Sequence, residues 1–308
     1  MSKSYSFFEK WNIYQTSRYP IIKHSLLIAA FSSSAVSFSA MISGRNSAEI
    51  LSYVVAFITC FLFFLQLRIA DEFKDYEEDC LYRNYRPVPQ GIITLKELKY
   101  LFIIASVIQL AAAAFLDIKL AGILLVVWIY LACMSKEFGI KPWLKAHPIV
   151  YMWSHMIIMP MVDFYATATD WIQYDSPPYS LYWFVALSFF NGLNLEIGRK
   201  IRNPKDEEVG VETYSFLWGC KKATVAWLSM VLLTGLCAIG ASYYLPKPFF
   251  TILIIFVTVY MILCILKTVF FLKNPENGKG KDFENLSGIF TLLVYLLLGL
   301  IPLASQLI

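Results

Sequence analysis

Apolar residues run in stretches of about 18 or more along nearly the whole chain, and a run of that length is what a helix needs to cross the hydrocarbon core of a bilayer. Nine membrane helices are predicted, near 21–44, 48–70, 98–116, 119–135, 147–169, 179–198, 221–244, 249–272 and 286–307. Ahead of them, Phe7, Phe8, Trp11 and Tyr14 fall at roughly helical spacing, which predicts an amphipathic helix lying at the membrane interface. That N-terminal segment lacks a short apolar core with a small-residue cleavage site, so it does not read as a cleaved signal peptide. The expected fold class is all-α, a single polytopic domain spanning residues 1–308 with no soluble domain left over.

Composition agrees: 58% of the 308 residues are hydrophobic and only 16% are charged, against roughly 25% charged in an ordinary soluble domain. Basic residues are retained on the cytoplasmic side of membrane proteins. A nine-span chain with a cytoplasmic N-terminus and an external C-terminus places there all of the 26 Lys and Arg residues except Arg45, Lys119 and Lys247. The net charge of +4 therefore reads as topology and contact with anionic headgroups of the lipid bilayer, and not as nucleic-acid binding. The six cysteines show no CxxC pair or His spacing suited to zinc and read as packing residues.

Against this apolar background the stretch RIADEFKDYEEDCLYRNYRPVPQG, Arg68 to Gly91, gathers six acids directly after the second span. Asp71, Asp75 and Asp79 recur at i, i+4 and i+8, on one face of a helix continuing out of that span. Like charges at this spacing repel, and anions at a helix C-terminus oppose the macrodipole, so the arrangement asks for cations. Two sources are open: Arg68, Lys74 and Arg83 in a solvated charged loop, or a hard divalent ion such as Mg²⁺, which commonly bridges carboxylates to phosphate oxygens. Downstream, Pro87 and Pro89 are expected to stop the helix, Gly91 permits a turn, and Arg86 lies within reach of a bound phosphate.

A second polar cluster follows the sixth span. Glu196, Lys200 and Asn203 are expected on one helix face, with Arg199 beside them, Pro204 ending the helix and Asp206, Glu207 and Glu208 in the loop beyond. Two clusters of acids and bases on one side of the membrane suit a diphosphate held from both sides.

These residues resemble the UbiA superfamily of intramembrane prenyltransferases over nearly the full chain. The first motif of that family, an acid or Asn and two Asp at four-residue spacing followed by Arg-Pro-x-x-x-Gly, is matched by Asp71, Asp75, Asp79, Arg86-Pro87 and Gly91. The resemblance implies nine helices enclosing a central cavity, Mg²⁺ as cofactor, and a multi-pass enzyme with its active site near the cytoplasmic face. It also implies the reaction: loss of diphosphate from a polyprenyl diphosphate leaves an allylic cation that alkylates an acceptor. On this basis Asp71, Glu72, Asp75, Asp79, Glu196 and Asp206 are the expected metal ligands. Asp71, Asp75 and Glu196 are the expected catalytic residues, and Arg68, Arg86, Lys136, Arg199, Lys200 and Asn203 the expected diphosphate ligands. The second motif departs from the family, because Lys200 stands in the place of an Asp. Either Glu196 and Asp206 serve a metal, or Lys200 binds diphosphate directly and replaces one ion's charge.

Within the fifth span, His155, Met159 and Asp163 recur on one face, and ionisable residues at that depth face an interior or a cavity. They read as acceptor-side groups or as interhelical hydrogen-bond partners. Asp170 and Asp175, with Pro177 and Pro178, read as an external turn. Two other functions share the same features: a terpene cyclase or prenyl diphosphate lyase that ionises the same substrate, and a non-catalytic lipid binder or transporter that keeps the fold alone.

Overall fold

Chains of Leu, Ile, Val and Phe with Pro and Gly gathered at the joints satisfy their backbone hydrogen bonds within helices, as a bilayer requires. A computed structural model describes residues 5–174, 176–208, 210–276 and 278–307, and every regular element among them is helical. In order these are α1 (Phe7–Arg18), α2 (Ile21–Ile42), α3 (Ile50–Lys74), α4 (Tyr76–Tyr82), α5 (Leu95–Leu116), α6 (Ile118–Ser135), α7 (Lys141–Ala146) and α8 (Pro148–Met156). They continue with α9 (Ile158–Trp171), α10 (Leu181–Arg199), α11 (Tyr214–Trp218), α12 (Cys220–Ser242), α13 (Lys247–Lys273), α14 (Lys281–Leu298) and α15 (Leu300–Leu307). Three single 3₁₀ turns, Glu137–Gly139, Ile172–Tyr174 and Pro204–Asp206, join some of them.

Among the described residues seven helices are long and apolar enough to cross a membrane: α2, α3, α5, α6, α12, α13, and α14 with α15. The expected count of nine uninterrupted spans is corrected at three places, the last being the break at Gly299 between α14 and α15 within 286–307. The segment 147–169 is broken at Ile157 into α8 and α9. Pro160 supplies the cause, since it has no N–H for the Met156 carbonyl and its ring crowds that carbonyl. The segment 179–198 is α10, whose last turns carry Asn191, Asn194, Glu196 and Arg199. On α13, Ile255, Val259, Ile262 and Leu266 are all exposed. Such a surface suits lipid rather than water, and the chain is an integral membrane protein.

The bundle core is built by α2, α3, α9, α10, α12 and α14, with Phe38, Phe184, Trp227 and Phe290 fully buried between them. Gly198 lets α10 close on α14: a Cβ there would lie 2.1 Å from Ser287 Oγ. Helix α1 starts on a Ser6–Glu9 capping box and buries Tyr14 against the ends of α3 and α5, while Phe7 and Phe8 stay exposed. At the other end of the bundle Asp170 is the last-turn residue of α9 and not part of a turn. It is buried, and it is held by Arg45 at 2.6 and 2.7 Å and by Ser39 at 2.7 Å, as a buried carboxylate must be. Asp175 lies outside the described residues. All six cysteines are free, with Cys60, Cys237 and Cys264 buried and Cys80 and Cys133 exposed. A pocket between α3, α5, α6 and α9, lined by Thr59, Gln109 and Tyr165 among others, holds about 10 Å³, room for about one water.

Candidate active site

The end of α3 decides where the first acids go. Helix α3 stops at Lys74 and α4 starts at Tyr76, with Asp75 at the joint. The ladder continues across it, since Asp75 N–H donates to Asp71 O at 2.9 Å and Asp79 N–H to Asp75 O at 2.8 Å. Asp71 and Asp75 therefore keep the one-turn spacing that the sequence predicts. Asp71 has one weak partner, Arg68 Nη1 at 3.5 Å, and is half exposed. Asp75 has no ion pair or side-chain hydrogen bond among the described residues. Its burial, with Asp71, Asp79 and Glu78 nearby, pushes its carboxyl above the ordinary carboxylate value despite Lys74.

Glu72, Glu78 and Asp79 of the stretch are closed by protein cations. Glu72 is buried on the other side of α3, where Arg18 Nε of α1 reaches it at 2.5 Å. Asp79 is buried with Arg83 Nη1 at 2.8 Å and Arg86 Nη1 at 2.5 Å. Helix α4 ends at Tyr82, before Pro87, because Arg83 and Arg86 fold back on Asp79, and Gly91 makes the expected turn with φ +70°. Arg86 is thus placed by Asp79 rather than left free.

Lys74 and Glu137 are residues that the sequence patterns miss. Lys74 Nζ meets Tyr151 Oη at 2.5 Å and Glu137 Oε1 at 2.8 Å, and lies 3.2 Å from His155 Nε2. His155 Nδ1 donates to Tyr151 O at 2.8 Å, and its Nε2 lies 3.1 Å from Glu137 Oε2. Burial works to raise the Glu137 carboxyl, but the hydrogen bonds and charges of His155 and Lys74 outweigh it and hold the group down to about 2. Glu137, Phe138 and Gly139 have φ of 51°, 52° and 74°. For the two non-glycine residues this left-handed backbone costs about 1 to 2 kcal/mol each. Lys136, the expected ligand from this loop, is exposed, while the next residue, Glu137, turns inward. The Glu-Phe-Gly triplet and a lysine flanked by Asp71 and Asp75 were the signals available.

The second cluster closes on itself. Glu196 is buried; Arg199 reaches its Oε2 with Nε at 2.6 Å and Nη2 at 2.5 Å, and Lys200 Nζ reaches its Oε1 at 2.9 Å. Lys200 also lies over the Tyr214 ring at 5.3 Å. Helix α10 ends at Arg199, before Pro204, so Asn203 falls outside it and off the expected face. Both Asn203 amide hydrogens go to Glu276 O and Gly278 O, at 2.8 and 2.9 Å, and its Oδ1 accepts from Lys205 N. Asp206 is exposed on the 3₁₀ turn, lining an open hollow of about 300 Å³ with Arg199, Arg202, Glu208, Lys281 and Glu284.

The two clusters nevertheless adjoin. Arg199 is close enough to Asp71 for their charges to interact, and Tyr151 is close to both Asp71 and Asp75. Asp163, by contrast, is buried deeper in the bundle, where Tyr295 Oη donates to its Oδ2. The break at Ile157 sends His155 and Asp163 to different partners. Among the described residues no three His, Cys, Asp or Glu side chains converge as a ready metal cluster. A hard divalent ion fits the donors at Asp71 and Asp75, which are oxygen-only and, among the described residues, carry no protein cation beyond the weak Arg68 contact of Asp71.

A model of the UbiA prenyltransferase family matches residues 26–304. Among solved structures the chain is similar to a UbiA homolog from Aeropyrum pernix K1, with TM-score 0.67 and 17% identity over 93% of this chain and 99% of that one. It is also similar to a digeranylgeranylglyceryl phosphate synthase, with TM-score 0.61 and 18% identity over 94% of this chain and 97% of that one. A UbiA homolog from Archaeoglobus fulgidus bound to GPP and Mg²⁺ follows, with TM-score 0.57 and 13% identity over 93% and 99% of the two chains. At these identities the likeness is one of fold. No curated protein sequence matches the chain significantly.

Proposed function

The chain belongs to the UbiA prenyltransferase family, and from that premise we propose that it ionises a polyprenyl diphosphate within the membrane and transfers the prenyl group to an acceptor. The diphosphate lies between the ends of α3 and α10, at the cytoplasmic face in the orientation that the basic residues favour. The observation that carries this reading is the pair of carboxylates one turn apart, Asp71 with a single weak contact to Arg68 at 3.5 Å and Asp75 with no ion pair among the described residues, with the charge of Arg199 near Asp71. Mg²⁺ held by Asp71 and Asp75 would supply Lewis-acid charge to the diphosphate oxygens.

The residues of the chain do the rest. The bond between prenyl C1 and the diphosphate oxygen breaks with its electron pair going to diphosphate, and Arg68, Arg199 and Lys200 stabilise that growing charge. The acceptor then forms a bond to C1 and gives up a proton. Packed apolar helices keep water from the allylic cation, and aromatic faces stabilise it. The homolog bound to GPP and Mg²⁺ supports the choice of substrate class and ion.

The test is pyrophosphate release by purified protein from geranyl, farnesyl and geranylgeranyl diphosphate, with and without Mg²⁺ and with a membrane lipid extract as acceptor source. Release that needs both Mg²⁺ and the extract is the expected result. Release without extract would replace transfer by cyclisation or lysis, and no release under any condition would overturn the enzymatic reading.

A further inference from the structure

We infer that this site works with a single divalent ion at Asp71 and Asp75, and that Arg199 and Lys200, locked on Glu196, are the fixed positive charge on the opposite side of the diphosphate. The inference rests on the proposed reaction and deepens it by assigning the cations.

Charge separates the two halves of the site. On the α3 side Lys74 is neutralised by Glu137 at 2.8 Å, so Asp71 and Asp75 outweigh Arg68 and the balance is negative. On the α10 side Glu196 faces both Arg199 and Lys200, and the balance is positive. A second Mg²⁺ at Glu196 would have to displace two cations whose bonds run from 2.5 to 2.9 Å. Glu196 is buried between these two partly exposed cations, and the incoming ion would meet the displaced cations at close range.

Among the described residues three acids of the loop have other surroundings, and the exposed Glu212 is near enough to Lys145 for their charges to interact. Glu207 is taken up by Thr213 Oγ1 at 2.6 and 2.7 Å and by Ser215 Oγ at 2.7 Å, and Glu208 by Arg202 at 2.8 Å. Asp206 points into the open hollow with Arg202 and Lys281. Lys200 occupies the i+4 position from Glu196 where an acid would complete a pair one turn apart. Tyr214 beneath Lys200 and the two-nitrogen grip of Arg199 fix both cations in direction, the preorganisation that charge stabilisation of a leaving group requires. Arg199 is close enough to Asp71 for their charges to interact, so the fixed charge lies near the proposed ion site.

Titration of the purified wild-type chain with Mn²⁺, read by the electron paramagnetic resonance of free ion, is expected to saturate at one ion per chain. Two ions per wild-type chain would overturn the inference. Lys200→Asp, which restores an acid pair, is expected to bind two, and a folded variant that still binds one would overturn it as well. Because an acid there risks misfolding, Lys200→Met is the second probe: one Mn²⁺ as before, with metal-free binding of inorganic pyrophosphate, followed by calorimetry, weakened at least about tenfold. Unchanged pyrophosphate affinity would remove Lys200 from the site. No Mn²⁺ bound by the wild type would remove the ion altogether, whereas the enzymatic reading stands or falls separately on pyrophosphate release.

Discussion

The ends of α3 and α10 are built from the same residue types and reach opposite states. At α3 a lysine sits between two acids and makes its bonds elsewhere, to Glu137 and Tyr151. At α10 two cations sit one turn from an acid and close on it. Content of Asp, Glu, Lys and Arg does not distinguish the two; partner geometry does. An acid serves an exogenous ion only where the chain has given its neighbouring cation somewhere else to go.

The largest effect is expected from Asp75→Asn. It removes an open carboxylate without changing shape, and pyrophosphate release should fall about a thousandfold while helical circular dichroism is retained. Activity within tenfold of wild type would erase the distinction between open and closed acids. Glu137→Gln attacks the same end indirectly, by leaving the Lys74 ammonium without its counter-charge. A loss of about 3 kcal/mol in unfolding free energy is expected, measured in detergent, together with weaker Mn²⁺ binding as Lys74 turns toward Asp75.

The pH dependence sharpens this. Glu137 is held down to about 2 in the folded chain against an ordinary value of 4.5. Its contribution to stability is therefore complete above that ordinary value and is lost as pH falls through the folded one. Glu137→Gln should flatten that acid limb, and an unchanged limb would show that Lys74 does not depend on Glu137.

At α10, Gly198→Ala puts a methyl group against Ser287 and should cost about 2 kcal/mol by forcing α10 off α14. The grip on Glu196 should loosen with it, seen as reduced pyrophosphate affinity without metal. The smallest effect belongs to Lys145→Ala. Its pair with Glu78 at 2.7 Å is about half exposed on both sides, and a change of about 0.5 kcal/mol or less is expected. A larger loss would extend the structured part of the α3 cluster out to its rim.

Much of this was legible in the sequence. Long apolar runs gave the membrane class, and four-residue spacing gave both the Asp71–Asp75 pair and the Glu196–Lys200 contact, because i and i+4 neighbours on a helix must meet. Spacing alone names a face and not the element opposite it. Hence Glu72 and Asp79, read as metal ligands from spacing and family resemblance, turned to Arg18, Arg83 and Arg86. The Lys74–Glu137 contact joins residues far apart in the chain through a left-handed turn, which no periodicity encodes. Asn203 was placed on α10 because Pro204 was taken as the stop, whereas the helix had already ended at Arg199.

Lys74 has two lives in the making of the protein. In the proposed orientation it emerges from the ribosome with α3, long before Glu137 follows α6, and through that interval it is a positive charge at the trailing end of a nascent span with Asp71 and Asp75 as its neighbours in the chain. Such a charge anchors the inner end of a helix during insertion. When the Glu137 turn arrives, the same ammonium is paired there, and Asp75 is left without an ion pair among the described residues. On the proposed reading, orientation of the helix and release of its acid are settled in sequence by one side chain, the second only after the loop beyond α6 has been made.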